Sequence, residues 1–234
     1  MIKLRLNPPV SMVIIIGTIL LVSSGCKKPP VAEFSYSPSV NPEMGDSIKF
    51  LNESEEALTF EWEFGDGMVS SDEHPIAVYE ATGSKEVKLT ATNDAGSTVA
   101  TKTLTINEPT ILGFIVFESD TVTVLENCEI WVYDNQFDFE ELNEPQFIEN
   151  TDNEGIALFM NLEAQSYYVI AYKETDTGYW IAGGSTASLS LNQLNAYSII
   201  CEFVPDEVKK KSLTDSFKPG NLVPVKMNLE RFRE

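Results

Sequence analysis

Apolar and polar residues alternate with a period of two in one short run after another, and each run stops at Gly, Pro, Asn or Asp. Ala32, Phe34 and Tyr36 begin the series; Ile48 and Phe50, then Phe60, Trp62 and Phe64, then Val87, Leu89 and Ala91 continue it. Period two is the side-chain repeat of a strand with one buried face, whereas an amphipathic helix repeats about every 3.6 residues, and that rhythm is weak through most of the chain. The expectation is an all-β protein whose strands pack face to face as sandwiches. Asn107-Glu108-Pro109 interrupts the pattern before a fresh apolar run from Ile111 to Phe117, so the chain reads as two sandwiches in series, over 31–107 and 110–234, with a candidate hinge between them.

Charge narrows the classes of partner. The net charge is −20, with 36 acidic residues against 16 lysines and arginines. Such a surface repels phosphate, which argues against nucleic acid and against extended contact with anionic lipid. At 43% hydrophobic residues the chain is nevertheless too apolar for a disordered acidic tail.

Residues 1–25 stand apart. Lys3 and Arg5 precede an apolar stretch from Val10 to Val22, short for a membrane span, and Ser23-Ser24-Gly25 offers small residues for cleavage before Cys26. This arrangement resembles the lipobox of bacterial lipoproteins, with Ser23 where that motif usually carries Leu. The resemblance implies removal of residues 1–25, a lipid on Cys26, and a stiff basic tether over 26–30 that includes Lys27-Lys28-Pro29-Pro30. Loss of Lys3 and Arg5 would take the net charge from −20 to −22. By the family's sorting rule, the lack of Asp after the cysteine points to the outer membrane, with its face left open. Cys128 and Cys201 then remain, each in a strand-like run and with the parity of the apolar residues two positions away. Both should point into a core, either as a disulfide or as two buried thiols.

Phe60-Glu61-Trp62-Glu63-Phe64-Gly65-Asp66-Gly67 is similar to the WDFGDG signature of the polycystic kidney disease (PKD) domain, with Glu63 in place of the usual Asp. His74-Pro75 and Tyr79 follow as in that family's HPxHxY stretch, with Val78 where its second His often lies, and Asn93-Asp94-Ala95-Gly96 resembles its late turn. The resemblance implies an extracellular Ig-like sandwich used as a spacer, an adhesion module or an accessory to exported enzymes. Here Gly65-Asp66-Gly67 would form a tight turn and Trp62 would centre the core.

The second segment resembles the transthyretin-like, or carboxypeptidase regulatory-like, sandwich. The residues that carry this are Gly113 to Val116, Asn127 to Tyr133, the turn Thr151-Asp152-Asn153-Glu154-Gly155 with the strand after it, Asn161-Leu162, and Tyr167 to Tyr172, where the family's turn glycine is absent. Further strands are expected at Tyr179 to Ala182, Tyr197 to Val204 and Leu222 to Phe232, and Pro205 to Gly220, with Lys209-Lys210-Lys211, reads as an exposed loop.

Little in the sequence supports catalysis. The one histidine, His74, sits in the PKD-like turn, which leaves no partner for a hydrolytic triad, and no phosphate-cradling glycine loop occurs. Carboxylates are abundant but carry no spacing of their own. Asp134, Asp138, Glu140, Glu141 and Glu144 crowd one loop, a weak calcium candidate beside the plainer reading of a solvated acidic loop. Trp131, Tyr133, Tyr168, Tyr172, Tyr179 and Trp180 are candidate ligand-facing aromatics, because Trp131 and Tyr133 oppose the parity of Cys128, Ile130 and Val132, and Tyr168 and Tyr172 alternate against Tyr167, Val169 and Ala171; the plainer reading is aromatics used as strand formers. The expected function is binding without catalysis: an adhesion or assembly module for another envelope protein, or a glycan-binding accessory of polysaccharide uptake.

Overall fold

The structure is a computed structural model that describes residues 28–206 and 220–227. The signal-like segment 1–25, Cys26, the Lys209-Lys210-Lys211 run and the end of the strand expected at 222–232 lie outside the described residues.

Seven strands build the first sandwich: β1 (Phe34–Ser37), β2 (Ser47–Asn52), β3 (Thr59–Glu63), β4 (Val69–Ser70), β5 (Ile76–Val78), β6 (Gly83–Asn93) and β7 (Gly96–Ile106). They form two sheets, β1-β2-β5 and β4-β3-β6-β7. The alternating residues close on each other as the period-two pattern requires. Trp62 is buried edge-on to Phe34 at 5.2 Å, parallel to Phe64 at 6.2 Å and tilted against Phe50 at 5.7 Å. Its indole N–H donates to Asp72 O at 2.9 Å, so the ring's one polar atom is satisfied at the edge of the core. Gly65 has φ +84°, and a Cβ there would meet Glu86 O at 2.7 Å; the turn needs glycine both for its conformation and for the close approach to β6. Asp66 Oδ1 accepts the Met68 N–H, and the buried Tyr79 hydroxyl donates to Phe64 O at 3.1 Å. His74 Nδ1 accepts the Asn52 N–H.

The second sandwich comprises β8 (Ile111–Phe117), β9 (Glu129–Tyr133), α1 (Gln136–Glu141), β10 (Phe147–Asn150), β11 (Ile156–Phe159), β12 (Tyr168–Thr175), β13 (Gly178–Ser185), β14 (Leu194–Ile200), β15 (Glu202–Pro205), β16 (Gly220–Asn221) and β17 (Val223–Pro224). One sheet runs β10-β9-β12-β13-β15 with β16 beside β13, and the other runs β11-β8-β14-β17. Strand β14 lies parallel to β8, with Leu194 opposite Ile111. Asp152 Oδ1 accepts the N–H groups of Glu154 and Ile156, which holds the turn into β11. The core between the sheets centres on Leu112, Phe114, Val116, Ile130, Val132 and Val169, all buried.

Two expectations are corrected. The single strand anticipated from Tyr197 to Val204 breaks at Cys201, and its halves join different sheets. Both halves alternate, and alternation reports a buried face without reporting whose face it is. The acidic loop at 134–144 is a capped helix over its middle: Asn135 Oδ1 accepts the Asp138 N–H at 2.9 Å, and Phe139 inserts beneath as the buried anchor. Six residues are fewer than two turns, and Phe139 is the one buried anchor among them, too short a signal for a helical period to register.

Between the two halves, Glu43 is buried and its carboxylate crosses the 107–109 break. Glu43 Oε2 accepts the Thr110 N–H at 2.7 Å, while Oε1 accepts the Thr110 hydroxyl at 2.6 Å and Asn192 Nδ2 at 3.1 Å. A second contact sits beside it, where Asn161 Nδ2 donates to Met44 O at 3.2 Å and to Asp46 Oδ1 at 3.0 Å.

Candidate functional site

The aromatic residues divide between the two faces of one sheet. Trp131 and Tyr133 on β9, Tyr168 and Tyr172 on β12, and Tyr179 on β13 share the outer face with Ile170 and Ile181, and α1 lies across part of it. Phe139 of α1 stands edge-on to Tyr133 at 5.9 Å and tilted on Tyr168 at 5.5 Å. Tyr133 is therefore buried, Tyr179 is buried beside Tyr172 at 5.7 Å, and of these five aromatics Trp131, Tyr168 and Tyr172 keep a partly exposed ring. Trp131 and Tyr172 lie 5.7 Å apart at an interplanar angle of 33°, and the indole N–H of Trp131 donates to Glu129 Oε2 at 2.9 Å. Burial, with a smaller contribution from the Asp138 charge, pushes the Tyr133 phenol above the ordinary tyrosine range. Trp180 is corrected to the opposite face: it packs on the inter-sheet core and on Phe203 at 5.1 Å, because it alternates against Tyr179 along β13.

The carboxylates of the acidic segment do not converge. Asp138 accepts from Asn135 and Asn143, which holds its carboxyl below the usual range, and Glu140 accepts from Gln136 Nε2. Among the described residues no group of three or more His, Cys, Asp or Glu is arranged to hold a metal ion. The calcium candidates Asp134, Asp138, Glu140, Glu141 and Glu144 are spread over a helix and its flanks.

Cys128 and Cys201 are free thiols, each fully buried in the core between the sheets. They are neighbours: a hydrogen bond shared with Cys128, and then burial, push the Cys201 thiol far above its ordinary range, so neither sulfur presents a nucleophile to solvent.

One feature of this sandwich was not singled out from sequence. All four residues of β10 are exposed, with Phe147 at 36% and Ile148 at 54%, and the strand pairs with β9 alone among the described strands. Beside it, Phe147, Ile148, Glu149, Leu158, Phe159 and Met160 line an open cleft of about 400 Å³ where the edges of the two sheets part. A second cleft of about 250 Å³ continues from Phe147 along Asp134, Gln146, Asn161, Glu163 and Tyr167. Pro145 before the run and Asn150-Thr151-Asp152 after it mark a short strand, but which neighbour it lacks is a property of the sheet.

Residues 27–107 match the family model of the PKD domain. The chain is similar to the PKD1 domain of Vibrio anguillarum Epp, at 31% identity over 34% of this chain and 94% of that domain, with a TM-score of 0.30. It is similar to the PKD1 domain of the Vibrio cholerae metalloprotease PrtV at 30% identity, over 34% of this chain and 98% of that domain, also at a TM-score of 0.30. A fainter likeness, 9% identity and a TM-score of 0.40 over 76% of this chain and 71% of the other, is to BcpA, the major pilin subunit of Bacillus cereus. Through residues 27–107 the chain belongs to the PKD domain family.

Proposed function

We propose that this chain is a lipid-anchored protein of the bacterial outer membrane, in which the PKD domain is a spacer that presents a transthyretin-like sandwich to another envelope protein. Its work is binding and assembly, without catalysis. The observation that carries this is the polar clamp at the domain junction. A spacer transmits position only if it does not flex at its end, and Glu43, Thr110, Asn161 and Asn192 tie the two sandwiches directly across the 107–109 break.

Cross-linking in intact cells, followed by purification of the full chain from envelopes, tests the reading against a chain lacking 110–234. A partner recovered only with the second sandwich is the expected result, and loss of fatty-acid labelling on Cys26→Ser is the expected sign of the anchor. Equal recovery from both chains, or none from either, would overturn the assembly role.

A second reading, glycan binding, has one observation of its own. Trp131 and Tyr172 present partly exposed rings on one face, the geometry on which a sugar ring stacks. Quenching of tryptophan emission by a polysaccharide, abolished in Trp131→Ala, would support it; a silent glycan array at millimolar sugar would sink it.

A further inference from the structure

The open side of β10 carries more than exposed apolar side chains. Thr151 N–H donates to Cys128 O at 2.9 Å, which makes that pair a bonded one in the ladder between β10 and β9. Bonded and non-bonded pairs alternate in antiparallel sheets, so Phe147 and Glu149 turn their backbone groups toward β9, and Ile148 and Asn150 turn theirs toward the open edge. An unpaired edge of this kind is a template for one more strand. The ground beside it suits the side chains of such a strand: Phe147 stands edge-on to Phe159 at 6.4 Å, with Leu158 and Met160 along the same cleft, while Ile148 stands opposite Trp131 on the outer face.

Charge selects the occupant. Glu149 lines the larger cleft, Asp134 and Glu163 line the smaller, and among the described residues no lysine or arginine lines either. On a chain of net charge −20 this excludes a second copy as the favoured occupant, since like-charged edges would be brought together. We propose that the open edge of β10 receives an extended, basic segment of a partner protein as an added strand. Its backbone would pair with Ile148 and Asn150, its apolar side chains would enter the cleft over Phe159 and Met160, and its lysines or arginines would meet Glu149, Asp134 and Glu163. The proposal rests on the protein-binding reading above and names the form of the partner.

The test is selection of random displayed peptides of about 12 residues, long enough to cover a strand and its flanks, on the immobilised full chain. Enriched peptides should alternate apolar residues with lysine or arginine, lose affinity as salt is raised, and slow hydrogen exchange at the Ile148 and Asn150 amides. Ile148→Pro removes an amide that faces outward and leaves the β9 ladder intact, so it should weaken the selected peptides by about tenfold or more with the fold retained. Glu149→Lys, which keeps the backbone donor, should weaken basic peptides and favour acidic ones. No enrichment, peptides without a basic bias, or protection elsewhere on the chain would overturn the proposal. A concentration-dependent dimer that protects β10 would overturn it too, in favour of self-pairing. A cellular partner that cross-links equally to the wild type and to Ile148→Pro would overturn the edge proposal and leave the wider protein-binding reading standing, whereas no partner for the wild type would remove that reading as well.

Discussion

Glu43 of the first sandwich and Thr110 of the second are joined twice, by the Thr110 N–H at 2.7 Å and by its hydroxyl at 2.6 Å. Thr110 is fully buried, so without Glu43 its amide would be left in the junction with no acceptor of its own. Removing one partner of a buried, charge-assisted hydrogen bond costs about 1–3 kcal/mol. Glu43→Ala should lower the unfolding free energy by that order, read from the shift of the denaturation midpoint at constant m, and should release the two halves to move separately. Backbone 15N relaxation checks the second part: one rotational correlation time for both halves in the wild type, two in the variant. A single correlation time in Glu43→Ala would mean that the remaining contacts of Asn161 hold the junction alone.

Gly65 and Gly67 flank Asp66 with similar positive φ, +84° and +94°, but differ in their surroundings. A Cβ at Gly65 meets Glu86 backbone atoms at 2.7 and 2.8 Å, whereas one at Gly67 meets nothing within 4 Å. Gly67→Ala should cost only the conformational penalty of about 1 kcal/mol, and Gly65→Ala about 2–4 kcal/mol because the turn must also move off β6. Urea unfolding of the two variants side by side separates conformation from collision.

Tyr79 is buried, and that burial, with a smaller contribution from the Asp66 charge, holds its phenol well above the ordinary tyrosine range; Tyr133 and Tyr167 are shifted the same way, again chiefly by burial. A proton held more tightly in the folded than in the unfolded chain adds stability that is whole below the unfolded pKa near ~10 and is lost as pH rises from there through the folded value. The melting temperature should therefore stay level through mildly alkaline pH and fall above it. Absorbance at 295 nm should show Tyr79, Tyr133 and Tyr167 ionising late, together with unfolding. Tyr79→Phe, which also loses the bond to Phe64 O, should be less stable by about 1 kcal/mol at neutral pH.

The buried pair Cys128 and Cys201 should be silent to a thiol reagent while the chain is folded and should react fully once it is denatured. Fast reaction in the folded state would place one of them at the surface. A chain that gives no reaction even when denatured, and is lighter by two hydrogens in the mass spectrum, would carry the disulfide instead.

The period-two runs and the Phe60 to Gly67 signature were enough to read the all-β class and the PKD domain, since strand parity, tight turns and a tryptophan-centred core are written in residues a few positions apart. The same parity put Cys128 and Cys201 in a core and separated Trp131 from Val132. Parity stops at the two faces of one strand, and everything that bears on binding lay beyond that point. That α1 covers Tyr133, that the pairing of β12 with β13 sets Tyr172 on the face opposite Trp180, and that β10 has a neighbour on one side only among the described strands depend on how segments distant in sequence pack together. The junction is the extreme case: Glu43 meets Asn192 across 149 positions of sequence. Local alternation determined which residues of this chain could be strands with a buried face; the tertiary structure alone decided which faces and edges were left open, because sheet order is set by packing between segments that carry no trace of one another in the sequence.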